Sequence, residues 1–427
     1  MARRGIKRKA PDSYHLPNFG DYTPTMFLRS HNQKDFDEET KIWKCAFEPS
    51  ITNPDETTNL LATCGGKTVC IIDVITQQVL KRFQDTDKNE NFYTLAWTTI
   101  EVPGNKKINV LAVAGEGAAI KLIYPNHLLM YATIRGHKKY ISCLLFHPTL
   151  TRLLFSGSRD GFVYLWDIGV PDKAPNNQYV PLLKISLQDT VGDALNLIFS
   201  EQSQLLIAGA ERGCVGWVVS DCHTLIPTRR ARVIEKPDIV FQHPKSKTLT
   251  IDGLINLPND RIATKQVGSG EILIWDLADH VAKEKKEVTI EPLLKLKYPV
   301  HNVKYLNLGF SNGLLGVGDD QGNLLLYHIK EILEKQRSED EENVWEASNV
   351  LQWPNIVNRQ PGESQRQDLV VNTVAISSSH EYVTGGTDNN LVCIWKRDSE
   401  DEAAALDGYK GEDTESKTSE KFHAASP

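Results

Sequence analysis

The feature that most limits what this chain can become is a pattern that recurs seven times along its 427 residues. Each copy is a short apolar run, a small-residue or Gly step, a turn, and a second apolar run ending near Trp, Tyr or Asp. The copies occupy 60–73, 110–124, 153–167, 205–219, 261–276, 314–328 and 382–396. Self-similarity at such a period is the mark of a repeat architecture in which one supersecondary unit is used many times. Within the copies apolar and polar residues alternate, as in FVYLW and EILIW, and the Gly and Asp residues between runs suit tight turns of antiparallel strands. Such a hairpin cannot bury its apolar faces alone, whereas blades packed around a ring can. The expected fold is therefore all-β, a seven-bladed β-propeller over residues 22–397. The segment YTPTMFLRS at 22–30 is the expected closing strand, since joining the two ends of the chain in one blade removes the open edge. Residues 1–21 and 398–427 are expected to be a basic and an acidic disordered tail. An insertion is expected at about 331–368, where HIKEILEKQRSEDEENVW has a charge-rich helical pattern.

Composition narrows the function classes. With 40% hydrophobic and 24% charged residues the chain reads as globular, and no apolar run is long enough to span a membrane. The reading is an intracellular protein without a membrane role. Seven cysteines, scattered and without C-x-x-C or zinc spacing, point to reduced, buried thiols and to no metal or other cofactor. A net charge of −7 gives no global attraction to phosphate backbones. Local basic clusters remain at the N-terminus, where Arg3, Arg4 and KRKAP suit nuclear import, with a merely solvated tail as the alternative, and at Arg229, Arg230 and Arg232. The second cluster suits a local nucleic-acid contact, with a solvated loop as the alternative.

One repeat carries a complete polar constellation: Gly136-His137, then Ser156, Asp160 and Trp166-Asp167. In a WD repeat such residues form one hydrogen-bonded chain from a surface loop to an inner strand, satisfying groups that blade packing would strand. Asp160 is expected to hold His137, and Ser156 to join the ring to the Trp166 indole. The same Ser, His and Asp could be read as a catalytic triad. Their mutual hydrogen bonds use them up, and no nucleophile elbow, phosphate loop or H-E-x-x-H motif accompanies them. No enzymatic role is expected.

Beyond the generic repeat, IWKCAFEP at 42–49, LWDIGVP at 165–171 and LGVGDDQGN at 315–323 resemble the propeller of the leucine-rich-repeat and WD-repeat family associated with the origin recognition complex. ATCGG at 62–66 and VNTV at 371–374 extend the similarity, which runs from about residue 22 to Arg397 and leaves out the family's leucine-rich domain. The resemblance implies a non-enzymatic chromatin scaffold in the nucleus that binds methylated histone tails and origin recognition complex subunits, supporting replication origins and heterochromatin. The alternative is a general WD-repeat adaptor such as a ubiquitin-ligase substrate receptor. Against it, neither Trp166-Asp167 nor Trp275-Asp276 is followed two residues later by Arg.

A more distant resemblance concerns ENFYTLAW at 90–97, which is similar to a segment of the embryonic ectoderm development subunit of Polycomb complexes. That resemblance implies recognition of trimethyl-lysine in an aromatic cage, with Trp43 and Tyr93 at two cage positions. A quaternary ammonium cannot donate hydrogen bonds, so aromatic faces must supply the attraction. Where that subunit has two further rings this chain has Asn302 and Val303, and a third ring has to come from Tyr298, Tyr305 or a loop. Without one, Trp43 and Tyr93 are two aromatics packed at blade tops.

Overall fold

The computed structural model describes residues 22–35, 37–126, 129–171, 179–225, 231–244, 246, 248–278, 288–335, 343–353 and 369–398. Its strands form seven antiparallel meanders arranged as a ring, a seven-bladed β-propeller. The innermost strands of blades 1 to 7 are Lys44–Pro49, Phe92–Val102, Ile141–Phe146, Ala194–Ser200, Ile251–Leu257, Leu308–Ser311 and Val371–Ile376. All run in the same direction, so their first residues gather at one mouth of the central channel.

The seven sequence copies form the second and third strands of the seven blades. Their register is conserved: Ile72, Ile123, Trp166, Trp217, Trp275, Tyr327 and Trp395 stand opposite Leu61, Leu111, Leu154, Leu206, Ile262, Leu315 and Val383. Each of the seven third-strand residues is at most 1% exposed, and large apolar residues at this place fill the seam with the neighbouring blade. The core is accordingly seven clusters, one per seam. Burying side chains of this size contributes about 1.5–3 kcal/mol each.

Closure is made by Tyr22–Leu28, which pairs antiparallel with Val392–Arg397 as the outermost strand of blade 7. Three blades carry a fifth strand that sequence periodicity does not reveal. After the third strand of blades 4, 5 and 6 the chain reaches back and lays Arg232–Ile234, Val288–Ile290 and Val344–Trp345 parallel to the outermost strands of blades 3, 4 and 5. These straps lace four consecutive blades together.

The stretch from about 331 to 368, expected as an insertion, is in part blade structure. It holds the strap Val344–Trp345 and the outermost strand of blade 6, Asn349–Gln352. The helix expected there spans only Ile329–Glu334. Residues 336–342 and 354–368 lie outside the described residues, as do both expected tails except Asp398.

Candidate binding site

In five blades the innermost strand begins with a register shift, leaving Tyr93, Ser142, Leu195, Asp252 and Asn372 as the extra residue. A β-bulge of this kind re-aims the side chain it frees. At Tyr93 it interrupts the pairing between Phe92 opposite Gly115 and Thr94 opposite Ala114. A Cβ on Gly115 would collide with the Asn91 carbonyl, so only glycine allows this approach. The segment is also fixed from below by the buried Lys121, paired with Asp85 and, at 2.7 Å, with Glu90. Glu90 in turn accepts the amides of Asn91 at 3.2 Å and Gly117 at 3.0 Å.

Four rings meet at the mouth that these strand starts surround. Trp43, just before the innermost strand of blade 1, lies 5.6 Å from Tyr93 at 84° and 6.2 Å from Tyr305 at 80°. Tyr140, just before that of blade 3, stands 5.4 Å from Tyr93 at 71°. Trp43 is thus the corner of the cluster, with two tyrosines nearly perpendicular to it. Cations are already attracted here: the Lys41 ammonium lies 5.6 Å from the Trp43 centroid, and the Arg159 guanidinium 5.5 Å from that of Tyr140. Arg159 also donates to the Tyr140 hydroxyl at 2.8 Å. The Tyr93 hydroxyl donates to Glu116 at 2.8 Å. Burial, then the Glu116 hydrogen bond and charge, push the Tyr93 pKa up; burial raises that of Tyr305, so both rings stay neutral.

Tyr305 supplies the third ring at Trp43. It belongs to the loop before the short innermost strand of blade 6, is 39% exposed, and has φ +70°, a conformation that L residues rarely adopt. Two devices hold it. The freed residue of blade 5, Asp252, accepts the amides of Tyr305 at 2.8 Å and Leu306 at 3.3 Å while pairing at 2.5 Å with Lys265, both side chains fully buried. Asn307 then donates its amide NH2 to the carbonyls of Trp43 at 3.3 Å and Tyr305 at 3.4 Å, tying the two ring-bearing loops together. Tyr298 is no part of the cluster: it is buried, donates to the Gly318 carbonyl at 2.6 Å and meets His301 at 2.7 Å.

The polar constellation of blade 3 is one connected chain. The Trp166 indole donates to Ser156 at 2.8 Å, Ser156 lies 2.8 Å from His137 Nε2, and His137 Nδ1 lies 3.0 Å from Asp160. Burial, the largest single influence, works against the Asp160 charge, yet the His137 hydrogen bond and charge together with the amides of Lys138 and Phe162 hold the carboxyl below the usual range. Two shorter versions of this chain had no motif to announce them. His243 and the Trp275 indole share Thr264 at 2.8 Å each, and His31 reaches Thr63 at 2.8 Å. Of the arginine cluster, Arg229 and Arg230 lie outside the described residues, and Arg232 opens a strap and pairs with Asp221.

These features define a class: a WD-repeat propeller with an aromatic cluster at one channel mouth, a binding scaffold by architecture. The WD domain of leucine-rich repeat and WD repeat-containing protein 1 matches residues 20–398, and the chain belongs to that family. It is 32% identical over 393 residues to the Xenopus laevis member and 33% over 389 to the Homo sapiens member, covering 87% and 88% of this chain. The matches span 52% and 58% of those relatives, so the chain corresponds to little more than half their length. A 112-residue stretch, 26% of this chain and 26% of the relative, is 33% identical to the Drosophila melanogaster Polycomb protein esc. In fold, a chain of the Chaetomium thermophilum Polycomb repressive complex 2 superposes with a TM-score of 0.69 at 12% identity, over 90% of this chain and 99% of that one.

Proposed function

We propose that this chain is a non-enzymatic nuclear scaffold that holds methylated histone tails at the channel mouth, with Trp43, Tyr93 and Tyr305 as the rings that receive the methylated ammonium. The observation that carries the reading is the right-angled set of three rings, anchored by Asp252 and Asn307 and with a lysine already drawn to one of them. A methylated ammonium gains cation-π attraction from each face without needing hydrogen bonds. Family membership supports origin recognition complex subunits as further partners, held by the blade sides, and a role at replication origins and heterochromatin. The arginine cluster Arg229, Arg230 and Arg232 is a candidate for an accompanying nucleic-acid contact.

The test is fluorescence anisotropy with histone-tail peptides carrying unmodified or trimethylated lysine. Tighter binding of the trimethylated peptides is expected, and Tyr305→Ala or the Trp43→Ala, Tyr93→Ala double variant should abolish the preference. No preference in the unaltered protein would falsify the reading. A pull-down from nuclear extract separates the scaffold from a general adaptor: origin recognition subunits support the first, and ubiquitin-ligase subunits without them support the second.

A further inference from the structure

At the seam between blades 6 and 7, on the face opposite the rings, a cavity of about 240 Å³ opens. Blade 6 contributes His328, Lys330 and Glu331 to it, and blade 7 contributes Tyr22, His380 and Arg397. The cations are in excess. Among the described residues neither Lys330 nor Arg397 has a carboxylate within the 4.0 Å of an ion pair, and Glu331 already faces Lys335 at 3.8 Å. Both imidazoles add polar edges: His380 Nε2 donates to the Ser311 carbonyl at 2.9 Å, and the Tyr22 hydroxyl donates to the His380 carbonyl at 2.8 Å, fixing that ring's surroundings. Burial, then the charges of His380 and Arg397, lower His328 to a pKa of about 4. Two cations that line one cavity without a carboxylate partner are an arrangement lacking its counter-charge, and the field of Arg397 adds to the burial that keeps His328 neutral.

We propose that this seam cavity is an oxyanion site for a phosphate monoester, held by Arg397 and Lys330 with His328 and His380 closing round it. Arginine and lysine are the side chains that grip phosphate by charge-assisted hydrogen bonds. The volume lies below the roughly 300–1,000 Å³ of small-molecule pockets, which suits one phosphorylated side chain or a free phosphate and excludes a nucleotide. An anion here neutralises Arg397 and Lys330 and lets His328 take up a proton, so each added charge favours the next. Because the cavity walls belong to two blades, its occupant ties them together.

The experiment uses the full chain near pH 6.5, where His328 is neutral, and reads its ring resonances by NMR as inorganic phosphate is added, with chloride at matched ionic strength as control. Phosphate, and not chloride, should drive the resonances toward the imidazolium position, with millimolar saturation. Lys330→Met and Arg397→Met should each weaken this by about tenfold. Arg397 ends the strand on which the closing strand pairs, so Lys330→Met, at an exposed position, provides the reading should Arg397→Met not fold. A phosphoserine peptide that binds more tightly than phosphate, while its unphosphorylated form does not bind, identifies a partner's side chain as the source. Equal affinities for the peptide and phosphate identify the free ion. His328 resonances that ignore phosphate, or respond equally in Lys330→Met, overturn the proposal.

Discussion

Trp43 is the residue on which the proposed binding site turns, since the rings from blades 2 and 6 both meet it. Removing its indole while keeping the fold should weaken trimethyl-lysine peptides by about tenfold, and Trp43→Phe should recover much of that, because a smaller ring still offers a face. Lys41 competes for the same indole. In Lys41→Ala the affinity should therefore rise about two- to fivefold, read in the same anisotropy titration. Tyr305 depends on a buried carboxylate, and Asp252→Asn leaves Lys265 without its counter-charge. A loss of about 3–5 kcal/mol in denaturant unfolding is expected, together with loss of peptide binding. Two rings of the proposed site, Trp43 and Tyr93, were legible in the sequence through the likeness to the Polycomb subunit that ENFYTLAW carries. Tyr305 remained one choice among several, because its place depends on a left-handed residue and on a carboxylate more than fifty positions earlier, neither of which leaves a local pattern.

At the scale of the element, the recurring bulge explains why strand starts carry the site. A regular strand would have kept Tyr93 and Asp252 in strict alternation with their neighbours, whereas the extra residue frees both toward the channel. The hydrogen-bonded chain of blade 3 was readable because Gly136-His137, Ser156, Asp160 and Trp166 fall at repeat spacing. His31 and His243 bond a second-strand Thr from the corresponding inter-blade loops, but without a preceding glycine to mark them. Their burial has a measurable cost in acid. His31 has a folded pKa of about 4, lowered chiefly by burial from the ordinary 6.5. The folded state thus favours the neutral ring, so the associated stability is complete above pH 6.5 and is lost as pH falls from there toward 4, on the order of 3 kcal/mol. Thermal unfolding followed between pH 7 and pH 4.5 should show this decline. In His31→Gln the decline should be shallower and the neutral-pH melting temperature lower; an unchanged slope would count against His31 as its source.

On the scale of the whole molecule, seven blades and their closing strand followed from the repeats, since buried third-strand aromatics and alternation are local signals. The straps did not, because segments of two or three residues carry no period and their partners sit in a preceding blade. Closure by Tyr22–Leu28 joins positions 358 and more residues apart, as the Tyr22 hydrogen bond to His380 illustrates. A chain lacking residues 22–28 should lose the protection of blade 7 amides in hydrogen exchange and melt well below the full chain. Retention of both would mean that seam packing alone closes the ring.

The straps make the ring unequal around its circumference. Blades 3 to 6 are laced by strand pairing between neighbours, while among the described residues the seams 6 to 7, 1 to 2 and 2 to 3 have no strap and are held by side-chain packing and isolated bonds, such as the Phe92 amide to the Gly66 carbonyl and the Val371 amide to the Asp319 carbonyl. Trp43, Tyr93 and Tyr140 sit on blades bordering two of these looser seams, with Tyr305 carried by the laced arc. Thermal breathing of the ring would then be felt first as a change in spacing between the rings of the binding site, so that a partner gripping the outer edges of blades 1 and 2 would tune the grip at the channel mouth without touching it.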